Sequence, residues 1–162
     1  MKGKHASSIA RDVQIVAHLT GEVVRLEQVN DEVFAQKILG DGIAVLPQAG
    51  ELYAPAEARV EQVFDSHHAL TLVTIDGVEL LLHVGIDTVQ LKGQHFDVKV
   101  KEGQSVKRGE LLMTFDIEAI RQAGYDVTTP LIVSNSGEFD LRSTEKTEVV
   151  AGEDLLYLTR KE

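Results

Sequence analysis

The sequence predicts an all-β fold: an antiparallel β-sandwich or barrel with Greek-key-like connections and one or two short helical turns. Short runs rich in Val, Leu, Ile and Thr recur along most of the chain. Gly, Pro, Asn or Asp punctuates them at short intervals. Few of these runs carry a clean polar face, which calls for two layers enclosing one core.

Residues 1–12 are small and polar and read as a flexible tail; residues 13–162 read as a single domain. His5 falls in that tail and is assigned no role. The strand-like runs are Gln14–Ala17, Gly21–Arg25, Gly42–Leu46, Gly50–Tyr53, Ala58–Phe64, Ala69–Ile75, Val78–Val84, Phe96–Val100, Glu110–Asp116, Leu131–Ser134 and Leu155–Leu158. Asp31–Lys37 is expected to form one helical turn with Asp31 as N-cap. Ile117–Ala123 follows Asp116 and ends at Gly124, the N-cap and C′ glycine of a second short helix. Gly40-Asp41-Gly42 reads as a turn, because it has neither the lysine nor the following helix of a phosphate-gripping loop.

A chain of 162 residues is long enough for an independent core. With no Trp and few Phe and Tyr, that core must be aliphatic. The absence of Cys excludes disulfides, thiolate metal sites and a cysteine nucleophile, and it suits a reducing compartment. A net charge of −10 repels phosphate backbones, so nucleic acid is not an expected partner, whereas a basic protein is. No apolar run approaches the roughly 18 residues of a membrane span. The start, MKGKHASS, has no signal-peptide core.

The chemistry concentrates in Phe64–Thr88. Asp76-Gly77 is the strongest short hairpin signal, with His68 on one arm and His83 on the other. A two-residue turn there sets Leu70 opposite His83, with His68 diagonal to it. A four-residue loop, Thr74–Gly77, sets His68 directly opposite. Either register brings both imidazoles to one face. Only an odd register, from a three-residue loop or a bulge, separates them. His67 must then point away.

Leu80-Leu81-Leu82 before His83 implies partial dehydration, which favours the neutral imidazole. Three chemistries fit such a pair. One imidazole can accept a phosphoryl group while the other steadies its oxygens. Both can ligate zinc, with Asp87 as a candidate third ligand. One can act as a general base, with Ser66 as the nearby hydroxyl. Ser66 shares a face with His68 if that segment is extended. Asp87, in Gly85-Ile86-Asp87, orients an imidazole or simply makes a turn. Phe34, Ile38 and Leu39 are core by default, but on an acidic protein they can form an exposed docking patch. His18 and His95 read as surface or structural.

Four stretches together resemble the glucose-family enzyme IIA (EIIA) domain of the bacterial phosphoenolpyruvate:sugar phosphotransferase system. They are Val33–Pro47 (VFAQKILGDGIAVLP), Phe64–Ala69 (FDSHHA), Val78–Gly93 (VELLLHVGIDTVQLKG) and Thr129–Asn135 (TPLIVSN). The resemblance spans roughly Val13 to Arg160. It implies a cytoplasmic phosphocarrier on an all-β sandwich. In this reading His83 takes a phosphoryl group at Nε2 from the phosphocarrier protein HPr and passes it to a cysteine of an EIIB domain, which phosphorylates sugar during uptake. His68 supports the phosphoryl group, Ser66 stands where threonine is usual and relays through its hydroxyl to His68, and Asp87 lies near the site. Asp31, Val33, Phe34, Ile38, Leu39, Phe64, Leu81 and Val89 form the docking face. Backbone N–H groups near Gly85 are expected to serve the phosphoryl oxygens.

No cofactor is implied. Zinc is not required, although His68 and His83 could bind it adventitiously or at a partner interface. A phosphorylation-switched regulatory module acting on other proteins is a compatible reading, and a zinc hydrolase is a rival. The chain departs from the family in Val29-Asn30-Asp31-Glu32, where Val-Pro-Asp is common, and in Val84, where Phe often follows the histidine. The initiating Met and polar tail favour a free-standing protein over a piece of a transporter. The sugar is not named by these residues.

Overall fold

A computed structural model describes residues 11–162; the predicted tail to residue 10, with His5, lies outside the described residues. The fourteen described strands are β1 (Asp12–Val16), β2 (Gly21–Arg25), β3 (Asp41–Pro47), β4 (Glu51–Tyr53), β5 (Ala58–Val63), β6 (Ala69–Thr74), β7 (Glu79–His83), β8 (Phe96–Val98), β9 (Ser105–Val106), β10 (Leu111–Phe115), β11 (Thr129–Val133), β12 (Phe139–Ser143), β13 (Glu148–Val149) and β14 (Asp154–Arg160). They pair antiparallel in three sheets, ordered β1-β14-β12, β4-β10-β8 and β13-β2-β3-β11-β7-β6-β5-β9. The all-β antiparallel expectation therefore holds.

Both predicted helices form around their caps. α1 (Glu32–Ala35) starts where the Asp31 side chain accepts a hydrogen bond from Val33 N–H, and α2 (Ile117–Gln122) where Asp116 accepts from Ala119 N–H. Gly124 closes α2 with φ +97°. Asp12 already pairs with Thr159, so β1 reaches into the expected tail boundary. Gly42 is needed for close approach: a Cβ there would stand 2.0 Å from the Leu131 carbonyl oxygen of the neighbouring strand.

The main core draws from all three sheets and is almost wholly aliphatic, with Leu52, Leu70, Leu72, Leu80, Leu82 and Leu112 fully enclosed. A second, small core lies on the opposite face of the eight-stranded sheet. It joins Leu26, Val29, Phe34, Ala44, Ile86 and Ile132, with Val24 and Leu81 against it. Strand alternation explains the division. In β3, β11 and β7 the residues Ile43 and Val45, Leu131 and Val133, and Leu80 and Leu82 point into the main core, while Ala44, Ile132 and Leu81 point the other way. Leu80-Leu81-Leu82 is thus continuously apolar because both faces are covered at this point. His83 follows Leu81 by two residues and emerges on the outer face beside the small core.

Candidate functional site

The β6–β7 hairpin does not adopt either register that the turn signal suggested. Ala69 pairs with His83, Leu70 with Leu82 and Val73 with Glu79. The loop is three residues long: Thr74 N–H donates to Val78 O, and Val78 N–H donates to the Thr74 hydroxyl oxygen. Gly77, at φ +82°, takes the left-handed position that closes such a loop. This is the odd register, which in two regular strands would send His68 and His83 to opposite faces.

The rings nevertheless meet, with centroids 4.7 Å apart and planes at 82°. β6 begins only at Ala69, so alternation does not govern His68. Before it, His67 N–H donates to Phe64 O in a turn, and His67 sits at φ +59°. That left-handed residue breaks the extended path and lays the His68 ring beside His83. Val84 N–H donating to His68 O ties the two arms together. His67 itself is exposed, as expected.

The tautomer of His83 follows from one bond. Its Nδ1 lies 2.7 Å from the Gly85 carbonyl oxygen. A carbonyl only accepts, so Nδ1 carries the proton and Nε2 keeps its lone pair. Burial holds His83 below the ordinary histidine range, opposed by the Gly85 backbone and then by the charges of Asp31 and Asp87. His68 is buried, and burial takes its pKa down to about 4; the nearby His83 acts in the same direction, and the Ser66 backbone opposes both. Both imidazoles are therefore neutral at pH 7.

Aromatic rings frame the pair edge-on: Phe34 stands 5.1 Å from His83 and Phe64 stands 5.7 Å from His68. Val33, Ile38, Leu39 and Val89 are exposed around them, while Asp31, Phe64 and Leu81 are half-buried. Phe34 is only 5% exposed, so it belongs to the small core and to the wall of the site, and the exposed apolar surface beside it comes from its neighbours. Ser66 lines the same shallow depression as Phe64, His68 and Val89. No bond joins its hydroxyl to His68 among the described residues; Ser66 acts on His68 through its backbone.

Asp87 is exposed at φ +60°, at the start of a 3₁₀ turn over Thr88–Leu91. Ile86 N–H is taken by Asp126 O, so Gly85 serves the site through its carbonyl, whereas sequence reasoning expected amide donors there. His18 is fully buried and donates from Nε2 to Thr129 O, a structural role. Among the described residues no group of three or more His, Asp or Glu side chains is placed to hold a metal ion. Among the described residues no helix is long and apolar enough to cross a membrane.

The molecule is an antiparallel β protein with a paired-imidazole surface site. The family model described as "phosphoenolpyruvate-dependent sugar phosphotransferase system, EIIA 1" matches residues 13–139, and the chain belongs to this family of phosphotransferase components. It is 41% identical over 150 residues to the PTS system glucose-specific EIIA component of Haemophilus influenzae, covering 93% of this chain and 90% of that protein. It is 44% identical over 148 residues to the beta-glucoside-specific EIIBCA component of Halalkalibacterium halodurans, covering 91% of this chain but 23% of that protein. Among solved structures it matches glucose permease IIA from Mycoplasma capricolum with a TM-score of 0.85 and 33% identity, over 90% of this chain and 95% of that one.

Proposed function

We propose that this chain is a phosphocarrier whose His83 takes a phosphoryl group at Nε2 from phospho-HPr and passes it to a cysteine of an EIIB domain. One observation carries the assignment to His83: its Nδ1 donates to Gly85 O, which leaves Nε2 as the nucleophile on the partly exposed face. The Nε2 electron pair forms the N–P bond as the donor's P–N bond breaks. The positive charge that develops on the ring is shared with the Nδ1–H already bonded to Gly85. Onward transfer returns the electron pair to Nε2, so no proton enters or leaves His83 in either direction.

His68, 4.7 Å away and neutral at rest, gains affinity for a proton when phosphoryl oxygens arrive and then donates to them. Such a transfer asks mainly for alignment and charge stabilisation. The exposed Val33, Ile38, Leu39 and Val89 form the apolar seat for both partners, with Asp31 and Asp87 meeting basic groups at its rim. The EIIBCA relatives join EIIB and EIIA in one protein by name, which supports EIIB as acceptor. The reading places the chain in the cytoplasm, in a β domain from residue 13 onward.

Incubation with enzyme I, HPr and phosphoenolpyruvate should add one acid-labile, alkali-stable phosphoryl group by mass, and H83Q should add none. H68Q should accept the group and fail to pass it on. Full onward transfer by H68Q would remove the supporting role.

A further inference from the structure

The carbonyl that fixes the His83 tautomer is itself held from both sides. On one side, Ile86 N–H donates to Asp126 O at 2.9 Å, which orients the peptide that carries the Gly85 carbonyl. On the other side, the Thr88 hydroxyl donates to Val84 O at 2.5 Å, which orients the preceding peptide. Thr88 is completely buried, and its methyl group packs flush on Gly85: a Cβ on Gly85 would stand 2.5 Å from Thr88 Cγ2 and 3.0 Å from Asp126 O. Gly85 adopts φ +81°, so the two peptides meet at a left-handed hinge with little intrinsic preference for one direction. The Val84 and Ile86 bonds supply that preference.

We infer that Thr88 is a positioning residue for phosphoryl transfer: by clamping Val84–Gly85 it aims the Gly85 carbonyl at His83 Nδ1 and so keeps Nε2 unprotonated. The inference rests on His83 as the phosphoryl acceptor. It adds a buried residue whose hydroxyl is spent on Val84 O and whose methyl packs on Gly85. A threonine is suited to the task because one side chain provides both the hydroxyl for Val84 O and the methyl that fills the space a glycine leaves. Valine retains that bulk without the donor, and serine retains the donor without the bulk.

The test reads the tautomer and the rate separately. Imidazole ¹⁵N spectra of the unphosphorylated wild-type chain should show His83 as a single Nδ1–H tautomer. T88V should show a mixture of tautomers and accept phosphoryl from phospho-HPr roughly five-fold more slowly, the scale of one lost hydrogen bond. T88S should restore both. T88A is read as T88V is, should valine prevent folding. A T88V or T88A chain with the pure Nδ1–H tautomer and the wild-type transfer rate would overturn the role of Thr88, as would a T88S chain that behaves like T88V. If wild type proves not to be phosphorylated at His83, the phosphocarrier reading fails on that result, while the spectra still decide whether Thr88 sets the tautomer.

Discussion

Ala69, not His68, is the cross-strand partner of His83, yet the rings of His68 and His83 stand 4.7 Å apart. The site therefore depends on the turn before β6 as much as on the hairpin, and on His67 in particular, whose left-handed backbone reroutes the chain into His68.

His67 tolerates that conformation as a residue with a planar, unbranched side chain; a β-branched residue would not. H67V should lose about 1–2 kcal/mol of stability from the left-handed penalty and displace the His68 ring. H67G should keep stability within about 1 kcal/mol. Urea unfolding measures the first effect, and the rate of onward phosphoryl transfer measures the second. A wild-type urea midpoint for H67V would show that the turn bears no strain.

Phe34 and its neighbours on the same segment should separate cleanly. F34A removes a buried ring between the small core and His83, and should cost about 3 kcal/mol of stability. I38A, on an exposed side chain, should change stability by no more than about 0.5 kcal/mol and instead raise the KM for phospho-HPr. Equal destabilisation by the two substitutions would contradict the division into wall and docking seat.

His18 gives the fold a pH dependence of its own. Burial lowers its pKa to about 4, opposed by the hydrogen bond to the Thr129 backbone. Between about pH 6.5 and 4 the unfolded chain holds the extra proton, so stability falls as pH falls through that window and is unaffected above it; the full loss is about 3 kcal/mol. Urea midpoints from pH 7.5 to 4.5 should decline, and H18Q should flatten part of that slope. An unchanged slope in H18Q would assign the pH dependence to other groups.

Much of this molecule is legible in its sequence where the signal is local. The strand runs, the Asp31 and Asp116 caps and Gly124 each rest on neighbours within a few residues, and all three appear where expected. β9 and β13 are two residues long, too short to carry an alternation. β12, Phe-Asp-Leu-Arg-Ser, does alternate apolar and polar and was detectable by that period.

The histidine pair was legible too, but its geometry was not. Asp76-Gly77 signals a two-residue turn, whereas here Gly77 closes a three-residue loop sealed by the Thr74 hydroxyl, a contact four residues away. The convergence of His68 and His83 then comes from a left-handed residue that no periodicity encodes. The buried state of Phe34 depends on Leu26, Ala44, Ile86 and Ile132, which only the folded sheet brings together.

The central claim is that the Gly85-bonded imidazole reacts through Nε2. The most direct measurement is long-range ¹H–¹⁵N and ³¹P spectroscopy on the chain phosphorylated by phospho-HPr. The expected result is one phosphorus on Nε2 of His83, with Nδ1 still protonated. Phosphorus on His68, or on Nδ1 of His83, would contradict the account.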